Sequence, residues 1–311
     1  MNSVSPQVGI DISIDKAKPF RVPNDARGIA KLASTLPPAA QIHLEASGGY
    51  ERLVRTRLTE AGFTVDTHCP LKVRRMAQAK ARHGKTDALD AKHLADVGQD
   101  LPSQPHKSAE HESLTELSRA ISELKTQAGQ WKVRANAPQL DLQIKKTFLA
   151  IATSIKKQIA SLEKTYLKRI QASSFAERFD LAQTIDGVGA GLARVAVSEL
   201  PEDLESFTPG QICSYAGLAP IDHQSGSSRR PSRVGHGNAR LKGALYMPAL
   251  SCVQRQDWAR SLYRKLRERG RAHQQAIVAV MRRLLRRLVA VLRRGSAWVA
   301  EPPDARAPMN A

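Results

Sequence analysis

The sequence of 311 residues contains only three cysteines, Cys69, Cys213 and Cys252, and they lie far apart. No two of them have the spacing of a metal-ligand pair. An odd, scattered set also excludes the disulfide framework that stabilises small secreted domains. We therefore expect a protein that folds in a reducing compartment.

Long apolar segments are also absent. No apolar run approaches the roughly 18 residues that a transmembrane helix needs, which excludes a membrane-spanning protein. Residues 1–6 lack the charged-then-apolar pattern of a secretory signal. These absences predict a soluble, cytoplasmic protein without a membrane partner.

Acidic residues are scarce in the C-terminal part of the chain. Between Arg229 and Arg294 there are 18 lysines and arginines but only two acidic residues, Asp257 and Glu268. The net charge of the whole chain is +19. Such a charge density favours an anionic polymer as partner, because binding releases the counterions of its phosphates. The alternative is a solvated basic surface that has no specific partner.

Four acidic residues in the first hundred positions fall where a metal-dependent nuclease needs them. Asp11 ends an apolar run at 8–11, and Glu45 ends another at 42–45. Asp87 and Asp90 stand three apart at a predicted helix start, so they project from one face. Four carboxylates on two strands and one helix are able to hold two Mg²⁺ ions about 3.5–4 Å apart. That arrangement clamps a phosphodiester during displacement, and in a basic protein it points to cutting or transfer of nucleic-acid strands.

The N-terminal region, residues 6–103, alternates short apolar strands with amphipathic helices and is predicted to be an α/β domain. A proline-containing segment at 101–105 ends it. The expected strands span residues 7–14, 41–45 and 63–68, and the expected helices span residues 26–35, 51–61 and 86–98.

A second region, residues 108–174, carries apolar residues at the three-then-four spacing of a coiled coil, from Leu114 to Trp131 and again from Ile144 to Tyr166. Pro138 interrupts the pattern. The spacing predicts a helical hairpin or a long interrupted helix. Such an element is usable for dimerisation, but it is equally compatible with a helix pair packed on its own domain.

The third region, residues 175–294, contains Gly187 and Gly189 between two predicted helices, as in a helix-hairpin-helix motif. There, glycines allow backbone N–H groups to approach a phosphate. A simple glycine-containing helix connection explains the same pattern. A basic amphipathic helix is predicted beyond Gly270, and residues 295–311 are predicted to be a disordered tail.

The segment 217–238 is rich in glycine, serine and arginine, and its composition predicts a flexible surface loop. Ser225, followed by a glycine, is a candidate nucleophile, although a serine needs a base or a metal to take its proton. His223 and His236 lie nearby, but each is equally compatible with an ordinary surface position. The arginines at 229, 230 and 233 can neutralise a phosphate, and Asn238 can cap the following helix.

Taken in order, several segments resemble the insertion-sequence-110 family of bacterial transposases. Single pieces are weak, but the ordered set is specific and covers the chain from about residue 7 to residue 290. The pieces are Val8-Gly9-Ile10-Asp11, Leu44-Glu45-Ala46-Ser47-Gly48-Gly49-Tyr50, Lys85-Thr86-Asp87-Ala88-Leu89-Asp90-Ala91, Gly187-Val188-Gly189, Gly217-Leu218-Ala219-Pro220 and Gln224-Ser225-Gly226.

The resemblance implies an RNase H-like domain of the Holliday-junction-resolvase (RuvC) type, a coiled-coil bridge and a mostly helical C-terminal transposase domain. It implies that the four carboxylates are the metal-binding tetrad, with Mg²⁺ or alternatively Mn²⁺, and that Ser225 forms a covalent link to DNA. The residues expected to contact nucleic acid are Gly187, Gly189, Arg229, Arg230, Arg233, Asn238 and Arg240.

The same resemblance implies partners. Family members act on donor and target DNA, assemble as homodimers or homotetramers, and are guided by an RNA that the element encodes. Base pairing would then read the sequence while the protein holds the backbones.

One departure from the family pattern concerns residues 14–22, where a three-stranded meander is expected and only a short segment is present. Two alternatives to the transposase interpretation stay open, and this departure motivates the second. The first is a metal-dependent junction nuclease that makes no covalent intermediate. The second is a decayed copy that binds nucleic acid without catalysis.

Overall fold

The computed structural model describes residues 9–14, 20–46, 49–79, 87–103, 107–225, 228–235 and 237–299, and side chains for the same residues except 87–90, 221–225 and 228–233. Its described part is mostly helical, with three two-stranded sheets. The chain divides into two compact units, Met1–His106 and Lys107–Ala311. None of the described helices is both long and apolar enough to cross a membrane.

The first unit contains two of the sheets. One pairs strands β1 (Gly9–Ile12) and β2 (Phe20–Pro23) antiparallel. The other pairs β3 (Gln41–Glu45) and β4 (Thr64–His68) in parallel. A parallel pair needs a crossover, which a helix supplies here. The helices of this unit are α1 (Ala26–Thr35), α2 (Glu51–Glu60), α3 (Pro70–Ala79), α4 (Asp87–Val97) and a 3₁₀ turn at Gly98–Asp100.

Apolar side chains from α1, α2 and β4 form the main core of this unit, led by Ile29, Leu58 and Val65. Asp25 caps α1 by accepting a 2.7 Å hydrogen bond from the Gly28 N–H, which satisfies one of the free donors at the helix start. The sequence therefore fixes α1 by a cap at one end and by an apolar stripe along its length.

The predicted helices of this unit agree with the structure to within one residue at each end. Strand β2 and helix α3 were not predicted. Strand β2 lies in the segment where the sequence suggested a shortened meander, and with β1 it forms a hairpin of two four-residue strands. The RNase H-like fold stays a prediction.

The second unit begins with helices α5 (Ala109–Ala135) and α6 (Leu142–Gln171). Cross-helix contacts run from Ser113–Arg169 at one end to Trp131–Phe148 at the other, so the two helices form an antiparallel hairpin. The base of this hairpin is buried in the core of its own unit, with Tyr166 1% exposed. Of the two predicted forms, the structure shows the helical hairpin, while dimerisation stays a prediction.

The remaining helices of this unit enclose one apolar core, in which α12 contributes its whole buried face. The basic amphipathic helix predicted beyond Gly270 is thereby confirmed. The elements are α7 (Ala176–Gln183), α8 (Ala190–Glu199), α9 (Pro209–Tyr215), β5 (Pro220–Ser225), β6 (Ser228–Val234), α10 (Ala239–Arg255), α11 (Asp257–Glu268) and α12 (His273–Arg294).

The predicted disordered tail, residues 295–311, begins with an ordered segment. Gly295 ends α12 in a left-handed conformation, with φ of 62°. The Trp298 backbone N–H then donates a 2.9 Å hydrogen bond to Thr184 Oγ1. The Trp298 ring lies 4.9 Å from the guanidinium of Arg287. The disorder prediction is therefore wrong for residues 295–299, because this ring contact was not visible in the sequence, and residues 300–311 lie outside the described part.

Candidate catalytic sites

The elements that carry the four predicted metal ligands are packed together in the first unit. Asp11 is the third residue of β1, Glu45 is the last residue of β3, and Asp87 and Asp90 lie in the first turn of α4. Helix α4 packs against both β1 and β3. The side chains of Asp11 and Glu45 are half-buried. The fold thus brings three separate parts of the sequence into one region.

Two histidines lie beside Glu45 that sequence reasoning did not select. His43 Nδ1 and His68 Nε2 share a hydrogen bond of 3.0 Å, and the parallel register pairs His68 with Glu45. Burial, reinforced by the neighbouring His68, lowers the pKa of His43. The two imidazole rings lie together at the end of this sheet, beside Glu45. The sequence shows that His43 lies two residues before Glu45. It does not show the strand register, which pairs His68 with Glu45.

Oxygen-rich donor sets of this kind suit Mg²⁺ and Mn²⁺. Within the described side chains, no group of three or more histidine, cysteine, aspartate or glutamate residues is close enough to hold a metal ion. The side chains of Asp87 and Asp90 lie outside the described part, so Asp11 and Glu45 are the two members of the predicted tetrad whose side chains are described. The donor chemistry and the packing of α4 fit a divalent cation.

Ser225 lies in a β-ribbon and not in the flexible loop that the composition predicted. Strands β5 and β6 pair antiparallel, with a register irregularity between Ile221 and His223, and Ser225 opposite Ser228 is the last pair. The loop prediction is wrong because serine and arginine have little intrinsic strand preference, whereas pairing between two strands depends on their neighbours. His236 and the Gly226-Ser227 dipeptide lie outside the described residues.

The three predicted phosphate-binding arginines all lie on β6. Arg229 is opposite Gln224, Arg230 is opposite His223, and Arg233 is opposite Ile221. Successive residues of a strand alternate between its two faces. Positions 223 and 225 therefore lie on one face of the ribbon together with their partners, positions 230 and 228. Position 230, an arginine, therefore lies on the same face as Ser225, two residues along β6 from the serine's partner.

The ribbon leaves and re-enters the helical unit at its root, which we define as residues 215–219 on the entering side and residues 237 and 238 on the leaving side. Gly217 has a φ of 69°. A β-carbon on Gly237 would lie 2.2 Å from the Gly217 backbone nitrogen. The entering and leaving segments therefore touch here without room for a side chain. The Asn238 N–H donates a 2.7 Å hydrogen bond to the Tyr215 carbonyl oxygen.

Asn238 caps helix α10 as predicted, because its Oδ1 accepts hydrogen bonds of 3.1 Å from the backbone N–H groups of Arg240 and Leu241. Its Nδ2 donates a 2.8 Å hydrogen bond to Glu199 Oε2. Both ends of this side-chain amide therefore have partners within the chain. The predicted contact of Asn238 with nucleic acid stays a prediction.

Glu199, the last residue of α8, is a buried carboxylate that sequence reasoning missed; only 1% of its surface is exposed. Arg119 on α5 donates two hydrogen bonds to it, of 2.8 and 3.0 Å. Burial acts to raise the pKa of Glu199, but the hydrogen bonds from Arg119 and Asn238 outweigh it, so the pKa is lowered. The carboxylate is therefore ionised at neutral pH.

The predicted helix-hairpin-helix turn lies between α7 and α8. Gly187 has a φ of 90°, and Gly189 precedes α8 in an extended conformation with a ψ of 174°. Both glycines are exposed, and no heavy atom lies within 4 Å of the position that a β-carbon on Gly189 would take. The start of α8 is thus open to a large anion such as a backbone phosphate.

A group of exposed cations in the second unit lies at the corner between α11 and α12. We call this cluster the basic corner; it consists of Arg264, Lys265, Arg267, Arg269 and Arg271, all of which are exposed. Arg240 is exposed as well, at the start of α10. A surface of this kind binds phosphates of DNA or RNA through charge, largely independently of sequence.

Two transposase family models match the chain, and each match includes one of the candidate sites. A model described as "Transposase", for the DEDD domain of IS110 transposases, matches residues 8–142 and so includes Asp11, Glu45, Asp87 and Asp90. A model described as "Transposase IS116/IS110/IS902 family" matches residues 180–264 and so includes Ser225. The two matches together cover more than two thirds of the chain.

Individual relatives agree with these matches. The chain is 31% identical to the "Insertion element IS110 uncharacterized 43.6 kDa protein" of Streptomyces coelicolor over 121 residues, which are 39% of this chain and 30% of that protein. It is 28% identical to the "Pilin gene-inverting protein" of Moraxella bovis over 257 residues, which are 80% of this chain and 79% of the relative. It is also 28% identical to the "Insertion element IS116 uncharacterized 44.8 kDa protein" of Streptomyces clavuligerus, over 61% of this chain and 46% of that protein.

Proposed function

Because the chain belongs to the IS110/IS116/IS902 family of transposases, we propose that it cuts and rejoins DNA of a mobile element, with two sets of residues that divide the chemistry. Carboxylates of the first unit hold divalent metal, and Ser225 of the second unit attacks phosphorus. The observation that carries the proposal is the packing of α4 against β1 and β3, which brings together the elements of Asp11, Glu45, Asp87 and Asp90.

In this proposal the four carboxylates hold Mg²⁺, as two ions, with Mn²⁺ as an alternative. When bound, the metal polarises the scissile phosphate and neutralises charge that develops on its oxygens. The half-buried positions of Asp11 and Glu45 favour such a role, because partial exclusion of water strengthens charge–charge attraction. An RNase H-like arrangement of this unit remains part of the proposal.

The Ser225 hydroxyl oxygen loses its proton and forms a new ester bond to phosphorus while the bond from phosphorus to a deoxyribose oxygen breaks. The released deoxyribose oxygen takes up a proton and becomes a free hydroxyl group, so the transfer balances. The covalent link keeps the phosphodiester energy available for rejoining, which a hydrolytic cut would lose. Arginine positions on β6 follow directly after Ser228, the partner of Ser225, and guanidinium groups suit the charge of a phosphate in transfer.

Nucleic acid is held by the basic corner, by the glycine turn at Gly187 and Gly189, and by the arginines at 229, 230, 233 and 240. We propose that donor and target DNA and a guide RNA are the partners, since the basic surfaces are suited to hold backbones. The Moraxella bovis relative carries the name of a gene-inverting protein, which is compatible with cutting and rejoining of DNA. Assembly as a homodimer or homotetramer completes the proposal.

The test is a covalent trapping assay. Purified protein, RNA from the element's flank, labelled donor and target DNA and Mg²⁺ are combined and separated on a denaturing gel. We expect labelled DNA to migrate with the wild-type protein and not with Ser225→Ala. The matched control is Ser228→Ala, which removes the same hydroxyl from the residue directly opposite in the register.

The other outcomes distinguish the alternatives. Cleaved DNA without an adduct would favour the junction nuclease. Binding without cleavage or adduct would favour the decayed copy, provided that a related full-length transposase reacts under the same conditions. Asp11→Asn is expected to abolish the adduct while nucleic-acid affinity changes less than about threefold.

A further inference from the structure

The β-ribbon that carries Ser225 is held mainly from its root. Among the described elements, β5 and β6 pack extensively only against each other. The direction of the ribbon is therefore set where it leaves the helical unit, at the close contact between Gly217 and Gly237. A reacting atom at the far end of a two-stranded arm is displaced by any change of angle at this root.

Both sides of the root are bonded to one residue, Glu199. On the entering side, the Tyr215 hydroxyl donates a 2.6 Å hydrogen bond to the Glu199 main-chain oxygen. On the leaving side, the Asn238 amide donates a 2.8 Å hydrogen bond to the Glu199 carboxylate. The two sides are also bonded to each other through the Asn238 N–H and the Tyr215 carbonyl oxygen.

Glu199 is in turn fixed from the opposite side. Arg119 binds both carboxylate oxygens, and the planar guanidinium leaves this geometry little freedom. Arg119 lies on α5 and Glu199 at the end of α8, and these helices pack on each other in the core. Glu199 thus connects helices α5 and α8 to both segments of the root.

We infer that Glu199, held by Arg119, is the positioning residue of the serine ribbon and sets the place of Ser225 relative to the scissile phosphate. The expected effect on the rate of adduct formation rests on the proposed function of Ser225. The anchoring of the ribbon by Glu199 does not depend on that function. A small change in the position of a reacting group costs a large factor in rate, because alignment with the bond being broken is part of the barrier.

The decisive variant is Tyr215→Phe combined with Asn238→Ser in the full chain. Phenylalanine loses only the hydroxyl, and serine is itself a preferred cap, so the start of α10 keeps an acceptor while the link to Glu199 is lost. The Arg119–Glu199 pair remains. Tyr215→Phe alone is the milder second variant, which keeps the test usable if the double variant folds poorly.

The first readout is hydrogen exchange of the protein without nucleic acid. We expect amides of β5 and β6 to exchange at least tenfold faster, while amides of α8 and α12 change less than twofold. The matched control is Asp141→Ser, which makes a comparable cap change at the start of α6, where Asp141 accepts from the Gln143 and Ile144 N–H groups. The control is expected to leave exchange of the ribbon unchanged.

The second readout is the rate of adduct formation at saturating nucleic acid. We expect a fall of at least tenfold in the double variant. In Tyr215→Phe alone, which keeps Asn238, we expect a smaller fall in this rate with the affinity for DNA within threefold of wild type. Unchanged exchange of the ribbon would overturn the inference, and so would faster exchange with an unchanged adduct rate. A Ser225→Ala protein that still forms the adduct would instead overturn the proposed function, without touching the exchange result.

Discussion

A β-carbon on Gly187 would lie 2.3 Å from the sulfur of Cys252, so the turn between α7 and α8 rests directly on helix α10. Gly187 also has a φ of 90°, a conformation that residues with side chains rarely adopt. The glycine is therefore required by the fold of this turn, independently of any contact with phosphate.

Gly187→Ala is expected to destabilise the helical unit by about 2 kcal/mol or more, because it combines backbone strain with overpacking. Thermal unfolding followed by circular dichroism should show a Tm lower by about 4–8 °C. In the background Cys252→Ala, part of the loss should return, since the clash is removed while the strain remains.

Gly189→Ser is the matched comparison for the same turn. Its backbone is extended, its β-carbon position is open, and serine is a good residue before a helix, so we expect the Tm to change by less than about 2 °C. A Tm loss equal to that of Gly187→Ala would contradict the account of the turn.

The buried carboxylate of Glu199 predicts a dependence of stability on acid pH. Its pKa is lowered in the folded protein, so the carboxylate contributes stability that is present above its ordinary value of 4.5. This stability is lost as the pH falls below that value towards the folded pKa. We expect the Tm difference between wild type and Glu199→Gln to shrink steadily from pH 5 to pH 3, measured by thermal unfolding. A difference independent of pH would contradict ionisation of this residue.

Lys107 predicts a second rise of stability with pH, at alkaline pH. Burial is the main cause that lowers its pKa to about 8, and its Nζ donates a 3.0 Å hydrogen bond to Thr115 Oγ1. Between pH 8 and 10.5 the unfolded chain binds more protons at this residue than the folded chain, so stability rises with pH. We expect the Lys107 contribution to raise the free energy of unfolding by about 1–3 kcal/mol over this pH range. The rise should vanish in Lys107→Met. Lys125→Met, in an exposed pair with Glu163, should leave the slope unchanged.

The basic corner predicts how binding responds to salt. Replacing Arg264, Lys265 and Arg269 by glutamine should reduce the slope of log affinity against log salt concentration by about 2–3, because each phosphate contact contributes close to one. Gel-shift titrations of DNA between low and moderate salt would measure it. The control replaces three exposed lysines of the helical hairpin, Lys145, Lys146 and Lys157, and equal slopes in both variants would contradict a role for the corner.

Elements with a local signal were predictable from the sequence. Helix α1 has a capping aspartate and an apolar stripe, and its observed bounds equal the predicted ones. Helix α12 shows the same clear amphipathic period. Family resemblance, rather than spacing alone, assigned Ser225 and the four carboxylates to catalysis, and those assignments stay predictions.

Features that depend on distant residues were not predictable. The segment around Ser225 has the composition of a loop, and only its pairing with β6 makes it a strand. Glu199 ends an apolar helix and gives no local sign that Arg119, 80 positions earlier, and Asn238, 39 positions later, bind it. Trp298 lies against Arg287 through a turn at Gly295 that the sequence shows only as the end of a helix.

The proposed function depends most on covalent attachment of Ser225 to DNA. The most direct measurement is peptide mapping by mass spectrometry of protein that has reacted with donor DNA, guide RNA and Mg²⁺ and has then been treated with nuclease and protease. We expect a phosphodeoxynucleotide mass on Ser225, located by fragmentation between Gln224 and the following residues. The same mass on another residue, or cut DNA with no modified peptide, would show that Ser225 is not the nucleophile.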